Sequence, residues 1–260
     1  MLSRRIASSL VLAPSVLALA WWHPIAFAIP MAVAAAVIAF EIGTMYGSSG
    51  IRTSRGAAAV VALGLVIRNS IDHTWIDVAI ILVVVYTLLR QLWHHRMYGR
   101  FASWGIAMVA AAYAGGLLGF MALLRGLPNG FSWVVIAFGA TWAFDIAAYA
   151  VGKTIGQRGF MTHVSPKKTW EGVIAGTVAT CTFLSAAFAL LGHSWWQGLA
   201  LGIGVSLAAV FGDLVASMLK RDTGHKDSGT VIPGHGGMLD RLDSLLFVAP
   251  IVFTFATLSG

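Results

Sequence analysis

Carboxylates that could bind a metal ion are concentrated in the second half of the sequence. Asp213 lies inside a long apolar run, where an ionised carboxylate is costly unless a cation compensates it. Ser217 and Lys220 follow four and seven residues later, so in a helix all three share one face. Asp240 and Asp243 are three residues apart at the start of the next apolar run. Because Mg²⁺ prefers carboxylate oxygens, we expect Asp213 and Asp240 to bind a metal ion, with Asp243 as a further ligand or as a helix cap.

The segment between these acids has the composition of a phosphate-binding loop. Residues 220–237 contain five glycines and one proline, which interrupt any helix. The backbone N–H groups of Gly236 and Gly237 could approach phosphate oxygens closely, while His235 is a candidate proton carrier or a residue that fixes the turn. Asp227 is a further candidate for the site, although an acid beside a lysine in a loop is often only a solvated charge. Four cationic side chains could bind phosphates, namely Lys220, Arg221, Lys226 and Arg241.

A second group of polar residues precedes the first in the sequence. Asp145 and Tyr149 are four residues apart near the end of one apolar run, and a basic segment follows. We predict substrate contacts from Asp145, Tyr149, Lys153, Ser165, Lys167, Lys168 and Glu171, together with Ser217, Gly236 and Gly237 of the first group. The alternative is that Pro166 and Glu171 mark an ordinary helix start and that the two lysines only orient the chain in a membrane.

The elements that carry these residues must be membrane helices. Of the 260 residues, 58% are hydrophobic and only 10% are charged, which excludes a water-soluble domain. Lipid cannot hydrogen-bond the backbone, and these apolar runs are longer than barrel strands, so the fold class is all-α. We predict a polytopic integral membrane helix bundle of about nine transmembrane helices, near residues 6–22, 24–46, 56–69, 74–91, 102–124, 131–152, 171–192, 197–219 and 242–258.

The basic residues predict how these helices are oriented. With nine spans, 15 of the 17 lysines and arginines fall on one side, and only Arg68 and Arg125 fall on the other. The positive-inside rule then places the N-terminus and both polar groups in the cytoplasm, at the inner membrane of a bacterial cell. Orientation also explains much of the net charge of +7, so no nucleic-acid partner is expected. Residues 26–28 resemble a signal-peptide cleavage site, but we expect the first helix to be retained.

The motifs resemble those of the phosphatidate cytidylyltransferases, also called CDP-diglyceride synthases. The run of residues 217–221, the pair Lys226-Asp227 and the stretch 233–243 are together similar to that family's long C-terminal motif. Residues 165–172 resemble a second family segment, and Asp145 with Tyr149 resembles a third. One difference is Ile146, where family members often carry a small polar residue.

The resemblance implies that CTP and phosphatidate react to give CDP-diacylglycerol and diphosphate. It implies that the reaction requires Mg²⁺, at a site that holds either one cation or two. It implies that Asp213 and Asp240 ligate the metal, that Asp243 and Asp145 support it, and that the cationic side chains bind phosphates. It further implies N-terminal transmembrane helices over residues 1–130 and a C-terminal catalytic region over 131–260. The homodimer is one alternative for its oligomeric state.

Two other functions are compatible with the same residues. One is a related CTP-dependent membrane enzyme that acts on another lipid phosphate or on a polyprenol. The other is an ion-coupled transporter, since acids within membrane helices also mark ion paths. The predicted concentration of the acids at one membrane face favours an enzyme over a transporter. We expect the N-terminal helices to shape a lateral entrance for the lipid.

Overall fold

The computed structural model describes residues 13–51, 53–71, 74–93, 99–229 and 236–259. Within these ranges the regular elements are helical, and an isolated antiparallel bridge joins Gly159 and Thr169. The α-helices in chain order are α1 (Ala13–Trp22), α2 (Pro24–Ser48), α3 (Arg55–Arg68), α4 (Thr74–Arg90), α5 (Arg100–Ala111), α6 (Leu117–Gly126), α7 (Gly130–Thr154), α8 (Trp170–Leu190), α9 (Trp195–Asp222) and α10 (Leu239–Ser259). The all-α prediction is therefore confirmed for the described residues.

Seven helices among the described residues are long and apolar enough to cross a membrane. They are Pro24–Ser48, Thr74–Trp93, Arg100–Gly126, Gly130–Thr154, Trp170–Leu190, Trp195–Asp222 and Leu239–Ser259. The described part of α1 is shorter, and α3 has only 14 residues, in keeping with the short third run of the sequence. The chain is a multi-pass membrane protein, while the count of nine spans stays a prediction.

The fifth predicted span, residues 102–124, is interrupted in the structure and is not a uniform α-helix. A π-helical turn at Ala112–Gly116 separates α5 from α6, and Thr74–Arg90 likewise continues into a short 3₁₀ turn, Gln91–Trp93. Gly115 lies in the π turn and meets the backbone of Ala62 in α3 so closely that a Cβ atom would overlap the Ala62 carbonyl. The apolar pattern did not reveal this turn, because α- and π-helical stretches bury the same residue types.

The chain groups into two compact units. The first comprises Met1–Phe131 and Asp222–Arg241, and the second comprises Ser132–Arg221 and Leu242–Gly260. In the first unit α2 packs against α3, α5 and α6, and its core includes Phe27, Ile38 and Leu118. The second unit contains α8 and most of α7, α9 and α10, and its core includes an aromatic cluster of Trp133, Phe188 and Phe255.

The boundaries of the two units divide the polar residues predicted from the sequence. The segment after α9, which includes most of the glycine-rich run, groups with the N-terminal helices, although α9 and α10 lie largely in the second unit. The predicted functional division at residue 130 stays a prediction.

Candidate active site

A partly buried ion pair forms the centre of the polar residues in the second unit. The Nζ atom of Lys168 lies 3.1 Å from Oδ2 of Asp213 and donates a second hydrogen bond to the Val210 carbonyl at 3.0 Å. The Lys168 side chain is 14% exposed and that of Asp213 is 39% exposed. The hydroxyl of Ser217 donates to Oδ1 of Asp213 at 3.3 Å, as the four-residue spacing predicted. Asp213 is thus neutralised and oriented by a lysine from the segment before α8.

Gly212 allows α10 to approach α9 beside this ion pair. A Cβ atom at Gly212 would overlap the carbonyl oxygen of Asp243 and lie 3.1 Å from Cα of Ser244. The two helix backbones are therefore in direct contact at this level. Because Gly212 immediately precedes Asp213, this contact brings the start of α10 to the ion pair.

Two more carboxylates belong to the same cluster. Asp145 of α7 and Asp243 of α10 both interact electrostatically with Asp213, and Lys168 and Lys220 supply opposing charge. The buried hydroxyl of Ser244 donates to Oδ1 of Asp145 at 3.5 Å, while the backbone N–H of Ser244 donates to Oδ1 of Asp243 at 2.7 Å. Neighbouring carboxylates disfavour one another's charge, so the cluster favours cations.

The donor chemistry of this cluster fits Mg²⁺, although the side chains alone do not enclose a metal ion. Among the residues that the structure describes, no group of three or more His, Cys, Asp or Glu side chains could hold a metal ion. Mg²⁺ commonly uses only one or two carboxylates and completes its shell with water and substrate phosphates. Asp213 and Asp243 are therefore suitable ligands for an ion that arrives with a nucleotide.

Asp243 does not cap the helix, which was one of its two predicted roles. The ninth predicted span began near residue 242, but α10 begins at Leu239, so Asp240 lies in its first turn and Asp243 one turn further in. The N–H groups at the helix start are bound by other carboxylates, described below. Asp243 is consequently available for the acidic cluster.

The two adjacent lysines of the second predicted group have different environments. Lys168 is in the ion pair, whereas Lys167 is exposed. Farther along α7, Nζ of Lys153 donates to the hydroxyl of Tyr149 at 3.3 Å, and both side chains are exposed. These exposed residues are placed where they could meet a ligand from outside the bundle.

Glu171 and Ser165 organise the connection between α7 and α8. Both carboxylate oxygens of Glu171 lie 3.2 Å from the backbone N–H of Arg158, and the Ser165 carbonyl accepts from the Lys168 N–H at 3.2 Å. Thr169 caps α8 by accepting from the Gly172 N–H at 3.2 Å, so the helix begins later than Pro166 suggested. Glu171 does lie in the first helical turn, and its predicted contact with substrate stays a prediction.

In the first unit, Asp240 binds the two described parts of the glycine-rich segment, which lie before residue 230 and after residue 235. Its Oδ2 atom accepts hydrogen bonds from the Ser228 N–H at 2.9 Å, the Ser228 hydroxyl at 3.1 Å and the Gly237 N–H at 3.3 Å. Gly236 has a left-handed backbone with φ of 84°, which favours glycine. Asp240 therefore shapes the loop, and its predicted role as a metal ligand stays a prediction.

The remaining predicted residues of this segment are exposed or lie outside the described residues. Lys226, Asp227 and Arg241 are exposed, and Arg221 is exposed at the end of α9. His235 lies outside the described residues, so its predicted role is not assessed by the structure.

Three residues of α2 that the sequence did not assign to the site also contact the segment. The hydroxyl of Tyr46 donates to Oδ2 of Asp222 at 2.7 Å, and Oγ of Ser48 lies 3.1 Å from Nε2 of His225. Glu41, which is buried, binds residues on both sides of the glycine-rich segment. A lone carboxylate in an apolar helix was the one signal that could have revealed Glu41.

A bundle of apolar helices with an acidic and basic cluster defines a multi-pass membrane protein with a polar site. The sequence model of the cytidylyltransferase family matches residues 3–259, so the chain belongs to that family. This confirms the resemblance that the motifs carried.

Similar proteins come from bacteria and from a plant. A phosphatidate cytidylyltransferase of Synechocystis sp. is 42% identical over 136 residues, which cover 52% of this chain and 46% of that protein. One of Brucella melitensis is 39% identical over 148 residues, or 56% of this chain and 55% of that protein. Phosphatidate cytidylyltransferase 4, chloroplastic, of Arabidopsis thaliana is 45% identical over 123 residues, or 46% of this chain and 31% of that protein. The chain spans about half the length of the bacterial relatives it matches.

Proposed function

We propose that this protein transfers the cytidylyl group of CTP to phosphatidate, giving CDP-diacylglycerol and diphosphate. The observation that carries this proposal is the cluster of Asp213, Lys168, Asp145 and Asp243 within a unit of apolar helices. Membership of the cytidylyltransferase family and the names of the similar proteins support it. Mixed charges of this kind suit a reaction between two phosphate-bearing substrates.

The proposed reaction needs charge neutralisation more than it needs a strong base. A phosphate oxygen of phosphatidate attacks the α-phosphorus of CTP, the bond from that phosphorus to the bridging oxygen breaks, and diphosphate leaves with the electron pair. Because the attacking oxygen is already anionic, the protein has to hold two polyanions together and stabilise the leaving group. We assign Lys220, Arg221, Lys226 and Arg241 to the phosphates, and Lys167 to recruitment of the lipid headgroup.

Asp213, Asp240 and Asp243 are the proposed ligands of Mg²⁺, with Asp145 in support. When bound, the metal would neutralise phosphate charge as diphosphate departs. Lys168 compensates the charge of Asp213 through the ion pair between them. Ser217 holds the carboxylate in one orientation from the opposite oxygen.

The proposed topology has nine membrane helices, a cytoplasmic N-terminus and the site at the cytoplasmic face of a bacterial inner membrane. The unequal distribution of basic residues, 15 against 2, supports this orientation. Cys181 is the single cysteine of the sequence. A Cys181→Ser chain carrying Lys226→Cys can therefore be treated with a membrane-impermeant maleimide that reacts at position 226. We expect labelling in inside-out vesicles only. Labelling in intact cells would show that the site faces the opposite side of the membrane.

The activity is tested with purified protein, labelled CTP and a panel of lipid phosphates. We expect a CDP-lipid and diphosphate to form from phosphatidate in the presence of Mg²⁺. Turnover confined to a polyprenyl phosphate would replace phosphatidate as the substrate. Failure to consume CTP with every lipid phosphate, combined with ion-driven uptake by proteoliposomes, would indicate a transporter.

A further inference from the structure

Glu41 is a buried carboxylate that the proposed reaction does not use. It lies in α2, seven residues and therefore about 10 Å before the end of the helix, and it is only 2% exposed. A carboxylate at such a position in a membrane helix is costly unless charged or hydrogen-bonding groups compensate it. Among the residues that the structure describes, its hydrogen-bond donors come from the segment between α9 and α10 and from the start of α10.

Three hydrogen bonds join Glu41 to that segment. Oε1 accepts from the Met238 N–H at 2.8 Å, and Oε2 accepts from the Leu239 N–H at 3.0 Å and from the Ser228 hydroxyl at 2.9 Å. The first N–H groups of a helix have no acceptor within the helix, and a negative charge there is favourable. Glu41 thus caps α10 from another helix, which explains why α10 begins at Leu239.

Glu41 and Asp240 together hold the two described ends of the glycine-rich segment. The Ser228 hydroxyl lies within hydrogen-bonding distance of both carboxylates, at 2.9 Å from Glu41 and 3.1 Å from Asp240. Asp240 adds the N–H groups of Ser228 and Gly237. Ser228 is therefore fastened to the start of α10 through two carboxylates, one of which α2 supplies.

Two glycines make room for the Glu41 side chain. A Cβ atom at Gly237 would lie 2.8 Å from Oε2 of Glu41 and would overlap the Ser228 hydroxyl. A Cβ atom at Gly229 would lie 2.9 Å from Oε1. Part of the glycine content of this segment therefore serves to pack the backbone around a carboxylate, beyond any contact with phosphate.

We propose that Glu41 is a positioning residue, which fixes Ser228 and the start of α10 so that the cations beside them bind the phosphates of CTP. The proposal rests on the proposed function. It gives the N-terminal helices a role in nucleotide binding, in addition to the lipid entrance expected from the sequence. The contacts of Tyr46 with Asp222 and of Ser48 with His225, which come from the same end of α2, support the same role.

Steady-state kinetics of Glu41→Gln in the full chain test this role. Glutamine has the same shape, but its one carbonyl oxygen cannot occupy both acceptor positions. We expect the apparent KM for CTP to rise at least about tenfold while that for phosphatidate changes less than about twofold. The matched control is Asp77→Asn, because Asp77 is an acid of the N-terminal half whose ion pair with Arg68, at 3.0 Å, is exposed. A fall in kcat alone, in proportion to the folded fraction and with both KM values unchanged, would overturn the proposal.

A second measurement does not require activity. In the full chain in detergent, at a temperature well below the Tm of each variant, we expect trypsin to cleave after Lys226 and Arg241 several-fold faster in Glu41→Gln than in the wild type or in Asp77→Asn. Equal cleavage rates would contradict the proposed fastening. If the wild type does not convert CTP and phosphatidate, the proposed function fails and the cleavage rates alone decide on Glu41.

Ser228→Ala provides the decisive variant if Glu41→Gln does not fold. It removes the hydroxyl that both carboxylates bind but keeps the backbone N–H that Asp240 accepts. A smaller shift in the same two measurements, about threefold, supports the proposal. Wild-type kinetics and wild-type cleavage would overturn it.

Discussion

Nζ of Lys168 and Oδ2 of Asp213 form an ion pair at 3.1 Å, although the two residues are 45 positions apart in the sequence. Asp213 lies in α9, and Lys168 lies in the connection that leads into α8. Lys168 is also held by the Val210 carbonyl, one helical turn before Asp213. The pair therefore fixes the α7–α8 connection to the part of α9 that carries the acidic cluster.

Replacing Lys168 is expected to impair activity more than replacing its neighbour. Lys168→Gln leaves Asp213 without its cation, whereas Lys167→Gln changes an exposed side chain. We expect kcat/KM to fall at least about tenfold for the first variant and less than about threefold for the second. The assay is CDP-lipid formation from CTP and phosphatidate. Equal losses in the two variants would show that the lysines act only as a basic surface.

Gly212→Ala is expected to separate α9 from α10 and to destabilise the protein. The added methyl group meets the backbone of Asp243 and Ser244, which cannot turn away as a side chain could. Overpacking of this kind costs about 1–3 kcal/mol, and we expect a lower Tm in detergent together with a loss of activity.

Gly204→Ala in the same helix is the matched control for Gly212→Ala. A Cβ atom at Gly204 would lie 3.2 Å from the Cγ2 methyl group of Ile251 and would meet no backbone atom of the other described segments, so this contact is much less severe than the one at Gly212. Its Tm should stay close to that of the wild type. A similar fall in Tm for both variants would mean that helix glycines matter here through flexibility and not through close packing.

The helices could be predicted from the sequence because a membrane imposes a simple requirement on each of them. Each predicted span overlaps a helix over most of its described residues, with ends that differ by a few positions, and the contact between Ser217 and Asp213 followed from their spacing in one helix. The π turn at Ala112–Gly116 was not predictable, since its residues are as apolar as those of the adjoining helices.

Contacts between segments that are far apart in the chain could not be predicted from the sequence. No local pattern links Lys168 to Asp213, or Glu41 to Met238, because each pair is brought together only by helix packing. Glu41 could still have been singled out, since a lone acid in a membrane helix needs a partner. The sequence also could not separate the two possible roles of Asp240, which depend on its neighbours in space.

Removal of divalent metal is expected to abolish the proposed activity. Chelation with EDTA should stop CDP-lipid formation, and added Mg²⁺ should restore it, because the phosphates of CTP need a cation that the proposed ligands can hold. Asp213→Asn should reduce kcat by about 100-fold and raise the Mg²⁺ concentration for half-maximal activity. Full activity of Asp213→Asn at limiting Mg²⁺ would exclude Asp213 as a ligand.

Asp240→Asn separates a metal-binding role of Asp240 from its role in the loop. Oδ2 accepts all three of the described hydrogen bonds from Ser228 and Gly237, so the carbonyl oxygen of asparagine can replace it there. A metal ligand, by contrast, loses its charge in this variant. We expect Asp240→Asn to raise the Mg²⁺ concentration for half-maximal activity at least about tenfold, with unchanged trypsin cleavage after Lys226. If the Mg²⁺ dependence is that of the wild type, Asp240 acts only by shaping the loop, and the metal then depends on Asp213 and Asp243.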